Sequence, residues 1–170
     1  MLEKKRHPRI FILNVLIFFI LIIFHTSELV DISIKTATPL LILPLLTAFS
    51  LFEPIGASAV AGFISGAFLD SVADGSYCFN TVVLMLIGTF VSLFANNLFN
   101  KNIFAAAVLS VITSVIYYLL LWLFFHCFGT TVHSSLGYLL SYAFPSAVYS
   151  AVFIFPFYFL YRHFNKLKTQ

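Results

Sequence analysis

Charge is what this chain has least of. Only 9% of its 170 residues are Asp, Glu, Lys or Arg, where a soluble domain carries about 25%. With 61% hydrophobic residues, 22 of them Phe, too little polar side chain remains to cover a globule of this size. A soluble enzyme, a nucleic-acid-binding module and a disordered chain are excluded together. Cysteine is also scarce: Cys78 and Cys127 show neither metal-ligand spacing nor a disulfide framework, and read as buried, inert thiols. There is no Gly-x-Ser-x-Gly elbow, no Gly-rich phosphate loop, no internal repeat and no low-complexity linker. Catalysis has no support in the sequence.

What the chain has is long apolar runs, with a mean hydropathy of +1.04. A helix crossing a bilayer needs about 20 residues, so the length allows one polytopic membrane domain over 1–170. The spans are expected near 10–30, 39–52, 54–70, 77–99, 103–128 and 136–161. The first follows a basic start, and His25-Thr26-Ser27-Glu28 after it lacks a small-x-small cleavage pattern, so it reads as a retained span. The apolar block Pro39 to Asp70 is too long for one crossing, and Glu53-Pro54 divides it, because a helix interior rejects proline while a first turn accepts it. The expected fold is therefore an all-α integral membrane protein with six transmembrane helices and short loops, the second and third forming a tight hairpin. Fourteen residues from Pro39 rise only about 21 Å, short of the roughly 30 Å hydrocarbon core. That span must begin earlier, near Ile34, or be shielded by its neighbours, and Pro39 and Pro44 predict a kink in it. Asp74-Gly75 marks a turn, and Pro145 and Pro156 fall inside the last span.

The cations give an orientation. With six crossings, Lys4, Lys5, Arg6, Arg9, Lys101, Arg162, Lys166 and Lys168 share one side and Lys35 alone takes the other. That bias places both termini in the cytoplasm. A single crossing by Pro39 to Asp70 would turn Lys101 and the basic tail outward, so the count favours the division at Glu53-Pro54.

Ser58, Gly62, Gly66 and Asp70 recur every four residues on the third span, which puts them on one helix face. Such a row lets a second helix approach closely. The second helix is either a neighbour within the chain or the span of a partner, and spacing leaves both open. Asp70 ends the row at the predicted outer side. A carboxylate at membrane depth is costly and needs hydrogen bonds or a function. The bland reading marks the helix end, with Asp70 bonding to the Ser71–Gly75 turn. A proton relay would need a second ionisable group facing it, and Glu53 lies on the opposite predicted side. His126, Cys127 and His133 fit no zinc spacing, so neither metal nor cofactor is expected. Phenylalanines fill lipid-facing and interhelical space, while Tyr158, Tyr161 and Trp122 suit the interfacial belts.

The stretch Gly62-Phe63-Ile64-Ser65-Gly66-Ala67-Phe68-Leu69-Asp70, followed by Asp74-Gly75, resembles the rod shape-determining protein MreD family. The likeness extends to length, six-span layout and prolines at positions like Pro145 and Pro156; as a motif it covers only about Pro54 to Gly75. The polar Ser71, Asp74 and Ser76 and the pair Tyr77-Cys78 depart from it. The resemblance implies a non-catalytic membrane scaffold of bacterial cell-wall elongation. Its partners would be MreC, the actin-like MreB, the RodA glycosyltransferase and a penicillin-binding transpeptidase. A different class, the substrate-binding S component of an energy-coupling factor vitamin transporter, shares the size and layout. It would need a pocket, for which Trp122, Tyr118, His126 and Asp70 are the candidates. A membrane-embedded enzyme would need acidic or His residues clustered at one depth, and the sequence offers none.

Overall fold

The computed structural model describes residues 16, 18–20, 23, 40–72, 78–97, 102–127 and 144–167. All regular structure among them is helical: α1 (Ile42–Phe52), α2 (Ile55–Val72), α3 (Phe79–Asn97), α4 (Ile103–Cys127), α5 (Phe144–Val152) and α6 (Ile154–Leu167). The first expected span lies largely outside the described residues. Phe18 is placed, fully buried, with its ring centroid 5.0 Å from that of Phe49 on α1.

The centre of the molecule is α1. Every residue from Ile42 to Leu51 is buried, and α1 touches each of the other five helices. A helix apolar on all sides needs such a shell, and eleven residues rise only about 16 Å. Shielding, not an earlier start within the described residues, is how the short helix is accommodated. Pro39 lies outside the described residues, and the place of Pro44 gives no cause for a kink. Pro44 occupies the first turn, where the missing N–H would have had no intrahelical partner. The helix stops because Pro54 drives Glu53 into extended backbone, φ −105° and ψ 160°. The Pro54 carbonyl then accepts from the Ser58 N–H at 3.0 Å and opens α2.

Two expectations change. The tight antiparallel pair is α2 with α3, not α1 with α2, because α1 spreads its contacts over the whole bundle. The last span is two helices, broken at Phe153. Proline clashes with the carbonyl four residues back, which for Pro156 is that of Val152, the last residue of α5. The Phe153 N–H instead reaches Ser150 O at 3.1 Å. Beyond the break α6 continues to Leu167, past the expected end at Tyr161.

Polarity runs outward to inward in reverse of a soluble protein. Val60 and Phe63 on α2, Phe90 on α3, and Phe104 and Leu119 on α4 are exposed, while Thr47, Ser50, Ser58, Ser92, Ser110, Thr113, Ser114, Ser146 and Ser150 are buried. Thr47 Oγ1 and Thr113 Oγ1 meet at 3.3 Å between α1 and α4, and Ser150 Oγ accepts the Leu40 N–H at 2.9 Å. Hydrocarbon outside and small hydroxyls at helix contacts is the arrangement a lipid solvent selects. By length and composition, α2 and the Ile103–Phe124 part of α4 are each sufficient to cross a membrane.

Candidate functional site

The row predicted from spacing faces α3. A Cβ on Gly62 would overlap the Leu84 carbonyl and lie 2.8 Å from Met85 Cα. One on Gly66 would lie 2.5 Å from Asn80 O and 2.6 Å from Thr81 N. These are backbone atoms, so nothing can swing aside: α2 and α3 are in main-chain contact, and only hydrogen fits between them. The third contact comes from the other side. A Cβ on Gly88 of α3 would lie 2.5 Å from Ser58 O on α2. Gly88 was not singled out by sequence reasoning, although Asn80, Leu84, Gly88 and Ser92 share the four-residue spacing and all four are buried. Along that row Ser92 Oγ donates to Glu53 O at 2.9 Å, fastening the opposite end of the pair.

Asp70 sits two residues before the end of α2 and reaches across to the start of α3. Its Oδ1 accepts from the Asn80 N–H at 3.1 Å and from Asn80 Nδ2 at 2.9 Å. Its Oδ2 accepts from the Thr81 N–H at 2.8 Å and from Thr81 Oγ1 at 2.5 Å. Asn80 and Thr81 are the second and third residues of α3, whose amides have no intrahelical acceptor. A carboxylate supplied by one helix thus caps the next and meets the positive end of its dipole. Asn80 Oδ1 in turn accepts from the Tyr117 hydroxyl of α4 at 2.6 Å, so the cluster ties three helices together. Asn80 and Tyr117 are both buried. Cys78, just before α3, is exposed and not buried as expected, and it takes φ 61°, left-handed backbone that few non-glycine residues adopt.

The described bonds of Asp70 therefore go to α3. The Asp74-Gly75 turn lies outside the described residues, as does His133. Tyr118, proposed with Asp70 for a pocket, is buried in edge-on contact with Tyr117 at 5.4 Å, and it is Tyr117 that reaches the Asp70 cluster through Asn80. No three His, Cys, Asp or Glu side chains cluster among the described residues.

Two surface grooves lie among the described residues. One, about 470 Å³, separates α3 from α4, with Leu86, Phe90 and Phe94 facing Ile112, Ile116 and Leu120 and Thr113 the sole polar lining residue. The other, about 430 Å³, runs over the back of α2 between Phe18, Phe19 and Phe49 and the small residues Gly56, Ala57 and Ala61. A Cβ on Gly56 would meet nothing within 4 Å.

Described residues that are helical in all their regular structure, turn hydrocarbon outward and keep hydroxyls and a carboxylate between helices mark a membrane protein. Its family follows from its full length: the model of the rod shape-determining protein MreD matches residues 8–167, and the chain belongs to the MreD family. That family consists of shape-determining membrane proteins and is not a known enzyme family. No curated protein and no solved structure matches the chain.

Proposed function

We propose that the protein is a non-catalytic scaffold of the cell-wall elongation machinery, crossing the membrane six times with both termini in the cytoplasm. It binds the single span of MreC and links it to MreB, to RodA and to a penicillin-binding transpeptidase. The observation that carries this reading is the family match over nearly the whole chain. The row Ser58, Gly62, Gly66 and Asp70 serves the scaffold from within, by fusing α2 to α3. The partner's span takes the other face of α2, where Gly56, Ala57 and Ala61 leave room for a close approach beside the Phe18 and Phe19 rings. The transporter reading finds less support. Among the described residues the two grooves are lined, apart from Thr113, by apolar side chains, and a polar vitamin needs placed polar groups.

Co-purification of MreC with a Gly56→Leu variant tests the proposal. The variant should elute and melt like the parent chain yet lose MreC. A folded variant that retains MreC at parental stoichiometry removes this face as the contact. Accessibility labelling that finds the two termini on opposite sides of the membrane overturns the six-span topology.

A further inference from the structure

The basic end of α6 carries a feature that the scaffold does not use. Phe155 and Phe159 are exposed, and one turn on so are Arg162 and His163. Residues spaced by three and four share a helix face, so one continuous face passes from aromatic hydrocarbon to cation. Arg162 is also held. Its guanidinium carbon lies 5.9 Å from the centroid of the Tyr158 ring, within cation–π range. Tyr158 is fully buried and packs at 5.7 Å on Phe52 of α1. The guanidinium thus rests on a core ring while Arg162 itself stays exposed. No carboxylate pairs with Arg162 among the described residues, and Glu53, the acid at the end of α1, is buried.

We propose that this face of α6 binds an anionic phospholipid, with an acyl chain along Phe155 and Phe159 and the phosphodiester on Arg162. Charge complementarity selects an anion, and the planar guanidinium fork matches phosphate oxygens. The exposed aromatics leading to the cation select a lipid over an acidic protein surface, which would have no use for hydrocarbon directly beneath its contact. The site rests on the membrane reading given above but not on MreC, so its failure leaves the scaffold intact.

Native mass spectrometry of the purified chain, titrated with phosphatidylglycerol and with phosphatidylcholine of the same acyl chains, is the test. The parent should prefer phosphatidylglycerol. Arg162→Gln should weaken phosphatidylglycerol binding about fivefold, the contribution of one cation near a lipid surface, and should weaken phosphatidylcholine, whose choline offsets the same phosphate charge, by less. Arg162→Lys, which keeps the charge without the fork, should fall between them and serves if the glutamine variant does not fold. Phe159→Ala should weaken both lipids. An equal loss on Lys4→Gln/Lys5→Gln would show diffuse attraction and overturn the site. A parent without preference, or an Arg162→Gln chain that keeps it, overturns the site as well; a Phe159-independent anion contact would assign Arg162 to an acidic protein instead.

Discussion

Helix α3 has two neighbours in sequence, and it treats them oppositely. Toward α2 it presents Asn80, Leu84, Gly88 and Ser92 and closes to backbone contact. Toward α4 it presents Leu86, Phe90 and Phe94 and stands off by a groove of about 470 Å³. The second face is the more hydrophobic and yet the more open. In water that order would be reversed, since burial of apolar area drives contact. In lipid a leucine gains nothing by leaving the tails for another leucine, and what remains is close packing and interhelical hydrogen bonding. The α2–α3 pair has both, from its glycines and from Asp70. The α3–α4 pair has neither along the groove.

The harshest way to break the comparison is to give the closed contact a side chain. Gly66→Leu would drive a Cβ into the main chain at Asn80 and Thr81, and overpacking against atoms that cannot rotate away costs about 3 kcal/mol or more. We expect loss of the folded, monodisperse chain on gel filtration, or a collapse of its melting temperature in detergent. The same substitution at Gly56, on the open back of the same helix, should fall within about 0.5 kcal/mol of the parent. Equal damage at both positions would mean that leucine hurts α2 by propensity alone.

Next comes the latch. Asp70→Asn keeps the shape but turns an NH₂ group toward donors that need an acceptor. With hydrogen bonds to a charged group lost and amides left bare, we expect about 2 kcal/mol of destabilisation. Tyr117→Phe removes the hydroxyl that donates to Asn80 Oδ1 and should cost about 1 kcal/mol. Because Asn80 bonds to both residues, the double variant should cost less than the two single losses together. Strict additivity in thermal melts would show that Tyr117 and Asp70 do not act through Asn80.

Much of this pair was legible beforehand, and for a definite reason. A four-residue recurrence of Ser58, Gly62, Gly66 and Asp70 fixes a helix face whatever the tertiary structure. What it could not fix was the neighbour, since spacing on one helix says nothing of which other helix answers it. The answering row, Asn80 to Ser92, carried the same period with one glycine and a leucine, and so looked like ordinary span. Asp70 was placed correctly near a helix end, but its acceptor role needed the start of α3 to lie opposite, a fact of folding rather than of sequence. The break at Phe153 was within reach: Pro156 forbids a regular helix through Val152, and the period of the apolar residues concealed it. Pro44 teaches the complementary lesson: it falls in the first turn of α1, where a proline costs nothing, and only the observed start of the helix places it there.

The smallest expected effect is the one that most sharpens the contrast. Phe90 is 57% exposed and lines the groove. In a soluble core, Phe→Ala removes about 3–5 kcal/mol. Here the ring faces lipid, and the alanine that replaces it leaves a space that acyl chains can enter, so neither the transfer term nor the cavity term applies in full. Phe90→Ala should therefore shift stability by less than about 0.5 kcal/mol, as read by thermal melting in detergent or by steric trapping in bicelles. A loss above about 2 kcal/mol would mean that protein, not lipid, fills the groove. The open face of α3 would then be a helix contact after all, and glycine would no longer be what separates its two sides.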